Sequence, residues 1–274
     1  MTQARLTDRP ALLRQRTRAL RGPAPATFLH ALAAEEIEDR LRMVNRSFTA
    51  PAVIAGFCDF WQGRHPSATV VGDDETLALR PGAHDLVIHA LCLHWADDPV
   101  GQLVQARRAL RPDGLMLAVL FGGGSLQELR AALAQAEADV TGGLSPRVLP
   151  MGDIRDLGAL LQRAGLALPV ADRLALDLRY EDMFALMRDL RGMGETNAMQ
   201  ARPRGALRRS VLARACDIYA RGFAHPDGGI RATAEMIFLT GWAPDENQPQ
   251  PLRPGSATAR LADALGTREN PLED

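Results

Sequence analysis

The chain contains no lysine, so all 32 of its basic residues are arginine. This absence excludes Schiff-base chemistry, a phosphate-loop lysine and a lysine general base. The 33 acidic residues bring the formal net charge to −1. A chain so close to neutral has no electrostatic basis for non-specific binding of nucleic acid.

Cysteine is scarce, with Cys58, Cys92 and Cys216 unevenly spaced and no C-x-x-C pair among them. The spacing predicts neither a disulfide framework nor a metal centre, and it favours a reducing compartment, with the cytoplasm as the default. Long apolar runs are missing too. None reaches the roughly 18 residues that span a bilayer, so we predict no transmembrane segment.

The clearest pattern lies between His84 and Arg130, where the sequence reads strand, loop, helix, strand, loop, helix. Asp98 followed by Pro99 predicts a capped helix start. Ser125 and Glu128 predict a capping box at the start of the next helix. The pattern between His84 and Arg130 resembles the second half of a doubly wound α/β domain.

The first half of that domain is short. Apolar runs at 52–57 and 68–71 predict two buried strands, but the stretch they occupy is shorter than the roughly 30 residues of one strand-helix-strand unit. We therefore predict that one strand-helix unit is missing. Where such folds carry a glycine-rich turn after the first strand, this chain offers only Gly56, followed by Phe57 and Phe60.

Three regions are expected along the chain: an N-terminal helical extension (1–50), an α/β domain (51–243) and a flexible tail (244–274), which is rich in Pro, Asp, Glu and Gln. The basic stretch 12–20 is either a helix packed on the domain or part of a transit peptide. Further elements are predicted as helices at 28–44, 151–165, 182–190 and 206–221, an extended segment at 166–178 and a last strand at 231–242.

Several short motifs resemble class I S-adenosylmethionine (SAM) methyltransferases, and in particular the branch of malonyl carrier-protein methyltransferases and the arginine-hydroxylating assembly factor of respiratory complex I. The motifs are Leu91-Cys92-Leu93-His94-Trp95, Leu110-Arg111-Pro112-Asp113-Gly114, Phe121-Gly122-Gly123, Gly142-Gly143-Leu144-Ser145-Pro146, Asp156-Leu157-Gly158, Gly192-Met193-Gly194-Glu195-Thr196-Asn197 and Gly255-Ser256-Ala257-Thr258. The resemblance implies a Rossmann-like methyltransferase fold, with a mostly parallel sheet and an antiparallel C-terminal strand.

The resemblance also implies SAM as cofactor and a protein or carrier-bound substrate, with a subunit of a respiratory complex as one candidate. The cofactor-binding residues it implies are Gly56, Asp73, Asp74, Leu91 and Trp95. Because the glycine-rich turn has been reduced to one glycine, we expect SAM binding to be weakened or lost. The aromatic rings of Phe57 and Phe60 either fill the space of the cofactor's amino-acid part or point into the core. The alternative to an enzyme is therefore a non-catalytic, methyltransferase-fold binding or assembly protein.

Two groups of residues remain ambiguous. His94, just past a strand end, could be a general base or a packing residue. Tyr180, Arg191, Glu195 and Asn197 belong to a stretch that we call the lid segment (180–197). This segment is either a lid that contacts the substrate or partner, or a glycine-punctuated helix end with solvated charges.

Overall fold

The computed structural model describes residues 5–22, 25–248 and 266. The chain divides into two compact units, Met1–Pro244 and Asp245–Asp274. In the second unit, Asp245 Oδ1 accepts hydrogen bonds from the backbone N and Nδ2 of Asn247, both at 2.9 Å. Most of the tail expected at 244–274 lies outside the described residues, and the boundary expected at residue 50 stays a prediction.

Eight helices and six strands are found in the described part of the first unit. The helices are α1 (Arg9–Leu20), α2 (Phe28–Val44), α3 (Cys58–Arg64), α4 (Pro99–Ala109), α5 (Gln127–Thr141), α6 (Ile154–Arg163), α7 (Met183–Gly192) and α8 (Arg209–Gly222), and the strands are β1 (Pro51–Ala55), β2 (Thr69–Val71), β3 (His84–Ala90), β4 (Leu110–Phe121), β5 (Ala167–Tyr180) and β6 (Ile230–Trp242).

The strands form one sheet in the order β2-β1-β3-β4-β6-β5. Strands β1 to β4 pair in parallel, whereas β6 runs antiparallel to both β4 and β5. The predicted α/β fold, with a mostly parallel sheet and a reversed last strand, is confirmed. Helix α2 packs on one face of the sheet and helices α4 and α6 pack on the other, which explains why β3 is buried almost throughout.

The front half is shortened as expected. The edge strand β2 has only three residues, and only the seven-residue α3 connects β1 to β2. Residues 72–83 then lead directly to β3 without a helix or strand of their own. On this side of β3 the sheet therefore contains only two strands in the described part of the chain, β1 and the edge strand β2.

The predicted capping box at Ser125 and Glu128 is wrong. The residue before α5 is Leu126, at φ 54°, and no side chain caps this helix. Ser125 Oγ donates to Glu235 O and accepts from Glu235 N, both at 3.0 Å. Glu128 accepts from the backbone N and the hydroxyl of Thr233. The pairing of β6 with β4 ends at Met236. Beyond that point the side chains of Ser125 and Glu128 supply hydrogen-bond partners for backbone groups of β6, as buried backbone groups require.

The predicted caps at Asp98 and Asp153 are confirmed. Asp98 accepts from the backbone N of Gly101 at 2.8 Å, and Asp153 accepts from Arg155 N at 2.8 Å. The stop expected for α6 at Gly165 is also present, since this glycine adopts φ 75° directly after the helix.

Candidate functional site

The candidate site lies at the carboxyl edge of the parallel strands, where open α/β sheets bind ligands. Gly56 follows β1 at this edge, and Leu91 follows β3 with a φ of 47°. Such a backbone angle is uncommon for leucine and turns the chain into a short helical turn, Leu93–Trp95. The side chain of Leu91 is buried in the core on the α2 face.

Arg16 of α1 fills the space beside Gly56. Its side chain is almost fully buried, with a relative exposure of 3% for the residue. A Cβ atom at Gly56 would lie 2.7 Å from both Nε and Nη1 of Arg16. On the other side of Arg16, Gly194 adopts φ 71°, and a Cβ there would lie 3.1 Å from the Cα of Arg16. The two glycines therefore accommodate Arg16 between them.

Asp73 is held by two arginines of α1. Arg16 Nη1 donates to both carboxylate oxygens at 2.8 and 2.9 Å, and the two Nη atoms of Arg9 donate to the same oxygens at 3.1 Å. Burial alone would raise the pKa of Asp73, but Arg16 and Arg9 outweigh burial and hold that pKa well below its usual value. Asp74 is exposed, and its carboxylate lies 3.5 Å from Arg9 Nη2.

Glu195 joins His94 and Trp95 at the same edge. Its Oε2 lies 3.2 Å from His94 Nε2 and accepts a hydrogen bond from the Trp95 indole at 2.7 Å. Burial favours the neutral acid, but His94, Arg16 and the Trp95 hydrogen bond together lower the pKa of Glu195. The carboxylate thus orients the ring of His94, as required of a base held by an acidic partner.

Phe57 and Phe60 pack against His30 of α2, with ring centroids at 4.9 and 5.7 Å. Trp61 Nε1 donates to His30 Nδ1 at 3.2 Å. Burial lowers the pKa of His30 to about 4, which keeps the ring neutral at physiological pH. Of the two alternatives for Phe57 and Phe60, the structure has them packed against α2, and the nearest atoms to a Cβ at Gly56 belong to Arg16.

Three buried polar atoms at this edge have no hydrogen-bond partner among the described residues: Nε and Nη2 of Arg16 and Nδ1 of His94. Buried polar atoms in folded proteins are nearly always paired. Their concentration here marks the edge as a place where a polar ligand could bind.

A cavity of about 870 Å³ opens beside Trp95 and Glu195. The four residues predicted in the lid segment all line it: Tyr180, Arg191, Glu195 and Asn197. Asn197 has a clear structural role as well, since its Nδ2 donates to Pro146 O at 2.8 Å and its Oδ1 accepts from Met199 N at 3.0 Å. Burial and the neighbouring Asp189 raise the pKa of Tyr180.

Sequence reasoning missed Arg9, Arg16 and His30. In an arginine-rich helix such as α1, nothing local distinguishes the two arginines that reach Asp73 from their exposed neighbours. The described residues contain no group of histidine, cysteine and acidic side chains suited to a metal. No helix in this part of the chain is long and apolar enough to cross a membrane.

The sheet order, the reversed last strand and the site at the carboxyl edge together define an α/β fold of the methyltransferase type. Residues 34–118 match a methyltransferase domain family. The chain is 37% identical over 205 residues to the human "Arginine-hydroxylase NDUFAF5, mitochondrial", which covers 75% of this chain and 59% of that protein. The present chain is therefore a methyltransferase-family protein. It is related to this arginine hydroxylase and to a second group of relatives, the malonyl carrier-protein methyltransferases.

The second branch is represented by the "Malonyl-[acyl-carrier protein] O-methyltransferase" of Xylella fastidiosa, which is 36% identical over 180 residues, covering 66% of this chain and 59% of that protein. The chain thus spans about three fifths of the length of these relatives. Among solved structures, the YcgJ protein of Bacillus subtilis superimposes with a TM-score of 0.46 at 11% identity, covering 73% of this chain and 94% of that one.

SAM, the cofactor that the family suggests, does not fit this arrangement of residues. The guanidinium of Arg16 occupies the space that the glycine of the first turn normally leaves free, and both oxygens of Asp73 are already bonded to arginine. The cofactor roles of Gly56, Asp73, Asp74, Leu91 and Trp95 stay predictions.

Proposed function

We propose that this chain is a binding or assembly protein built on a methyltransferase fold, with helix α1 closing the cofactor cleft. The observation that carries this proposal is the position of Arg16, packed against Gly56 and paired with Asp73. A side chain that is buried, ion-paired and flanked by two glycines is part of the fold and is not a loosely held surface group.

The energetic cost of opening the cleft supports this proposal. A ligand that enters beside Gly56 must displace Arg16 and leave Asp73 with fewer partners. Breaking a buried ion pair costs about 3 kcal/mol or more, which corresponds to a loss of affinity on the order of 100-fold. A protein that carries this cost is poorly suited to a cofactor used in every turnover.

Calorimetric titration of the protein with SAM and with S-adenosylhomocysteine tests the proposal. We expect no saturable binding below about 1 mM, and a dissociation constant in the micromolar range would refute the closed cleft. The Arg16→Ala variant is titrated in parallel, with Arg14→Ala as the matched control because Arg14 is exposed on the same helix. Binding gained only by Arg16→Ala would assign the block to this side chain, whereas no gain would assign it to the shortened front half.

A second candidate is catalysis on a protein or carrier-bound substrate, as the names of the relatives suggest. It is favoured by the unpaired atoms of Arg16 and His94 and by the contact of His94 with Glu195. If α1 moved away, His94 would be the candidate base. The same titration separates the two proposals, since a micromolar complex with SAM would favour the catalytic one.

Under either proposal the expected partner is a protein, with a respiratory-complex subunit as one candidate, and it contacts the lid segment near Arg191. Neither a metal nor nucleic acid is part of the proposal. Location in the cytoplasm stays a prediction that follows from cysteine usage alone.

A further inference from the structure

The cavity beside the lid segment has walls that are largely aliphatic. Helices α2, α5 and α7 and strands β4 and β5 contribute the apolar lining, which includes Leu29, Phe121, Leu129, Leu133, Leu178 and Leu186. A volume of about 870 Å³ is within the range of small-molecule pockets. The apolar walls favour a ligand with a long hydrocarbon part over a polar one.

Helix α7 presents apolar side chains at the cavity that are not covered by the protein. Phe184 is 46% exposed and Met187 is 38% exposed, and both line the cavity. Arg188 and Arg191 lie on the same helix and also line it. The lining on α7 therefore combines apolar contact area with positive charge.

The arginines around this cavity fall into two groups. Arg147, Arg202 and Arg204 are ion-paired, the first with Glu137 and the other two with Asp8. Arg18, Arg188 and Arg191, in contrast, have no carboxylate within 4 Å among the residues that the structure describes. Among the described residues that line the cavity, Glu195 is the one acidic side chain, and it is already bonded to His94 and Trp95.

From this lining we infer a further binding site: the cavity takes a long-chain carboxylate, with its hydrocarbon chain against the aliphatic walls and its anionic head at Arg188 and Arg191. The apolar walls account for the chain, and the two arginines without a carboxylate partner account for the head group. The cavity adjoins the closed cleft at Trp95 and Glu195. The residues that hold the chain and the head group do not include Arg16 or Asp73, so the inference holds whether or not the cleft admits SAM.

Chain length gives the sharpest test of the hydrocarbon part. The protein is titrated with octanoate, decanoate and dodecanoate below their micelle concentrations, by calorimetry and by native mass spectrometry. Each CH₂ group added inside the cavity should tighten binding about fourfold. An affinity that does not rise with chain length, or no binding of dodecanoate at millimolar concentration, would overturn the inference.

The head group is tested with dodecan-1-ol and with variants of α7. We expect the alcohol to bind at least tenfold more weakly than dodecanoate, and Arg188→Ala and Arg191→Ala each to weaken dodecanoate binding about tenfold. Arg163→Ala is the matched control, because Arg163 is exposed on α6 and does not line the cavity. Equal binding of the alcohol, or equal losses in the Arg163 variant, would contradict an anion site on α7.

A protein segment with an apolar anchor and acidic residues is the competing occupant. A synthetic acidic amphipathic peptide is therefore titrated alongside the carboxylates. Binding of the peptide together with failure of every carboxylate would replace the inference with a protein-docking role. The outcome is independent of the SAM titration, so the two proposals can fail separately.

Discussion

Arg16 and Asp73 form the contact on which the closed cleft depends. The charge of Asp73 is stabilised because Arg16 and Arg9 surround it, and in return Asp73 is the partner that makes a buried guanidinium tolerable. Two further nitrogen atoms of Arg16, Nε and Nη2, have no partner among the described residues, so the pair is not fully satisfied. Loss of Asp73 would leave Arg16 buried with almost no compensation.

Asp73→Asn should therefore lower the free energy of unfolding by about 3 kcal/mol near pH 7. The pKa of Asp73 is depressed in the folded state, so its contribution is complete above the ordinary carboxyl pKa and is lost as the pH falls through the folded value. The difference between variant and wild type should consequently shrink in acid. Urea unfolding at neutral and acidic pH measures both effects.

Asp74→Asn is the matched control for this substitution. Asp74 is the next residue, its side chain is 75% exposed, and its ion pair with Arg9 is 3.5 Å long. Exposed pairs contribute about 1 kcal/mol or less. If the two variants lost similar free energies of unfolding, the buried ion pairs of Asp73 would contribute no more to stability than the exposed pair of Asp74.

The helix starts of this protein depend mainly on residues that are close in the sequence, whereas the candidate site is assembled from residues that are far apart in it. The starts of α4 and α6 could be predicted because their caps, Asp98 and Asp153, act within three residues. The S-x-x-E motif at Ser125 failed because its partners, Glu235 and Thr233, come more than 100 residues later. A local pattern cannot show that a strand still to come will compete for the same side chains.

The contact between α5 and β6 leads to a prediction about hydrogen exchange. Ser125→Ala removes the acceptor of the Glu235 amide and the donor to its carbonyl, so the Glu235 amide should exchange faster. We expect a stability loss of about 1–3 kcal/mol because the buried Glu235 amide loses its partner, whereas the Glu235 carbonyl still accepts from Gly122 N at 2.9 Å. Amide exchange followed by NMR measures the effect residue by residue.

Amides in the first turn of α5 serve as the internal reference for the Ser125→Ala variant. Ser125 does not cap this helix, so exchange of the Arg130 amide, which donates to Leu126 O at 2.9 Å, should change no more than the free energy of global unfolding predicts. Faster exchange confined to α5, with Glu235 unaffected, would restore the capping role.

At the scale of the whole molecule, the start of the chain is bonded to a segment near residue 200. Asp8 N donates to Ala198 O at 2.8 Å, and the Asp8 side chain pairs with Arg202 and Arg204. Gln15 Nε2 donates to Asn197 O at 3.1 Å. Helix α1 and the segment 194–204 thus form one layer over the carboxyl edge, with Arg16 between this layer and the sheet.

This arrangement could not be predicted from the sequence. Arg16 lies 57 residues from Asp73 and far along the chain from Gly194 as well, and no periodic pattern links such positions. What could be predicted was the departure at Gly56, where a glycine-rich turn is reduced to one residue. The structure shows that the remaining glycine makes room for a side chain of the protein itself.

Gly56→Ala should therefore destabilise the protein by about 1–3 kcal/mol, because the new Cβ would lie 2.7 Å from Arg16 Nε and Nη1. In the Arg16→Ala background the same substitution should cost clearly less, and this difference is the coupling between the sheet edge and α1. Gly63→Ala provides the control, since nothing lies within 4 Å of its Cβ position, and in helix α3 it should be neutral or slightly stabilising. All variants are compared by urea unfolding, with one cooperative transition expected if α1 and the sheet unfold together. If Gly56→Ala cost the same with and without Arg16, the clash would lie elsewhere and the closure of the cleft by α1 would have to be abandoned.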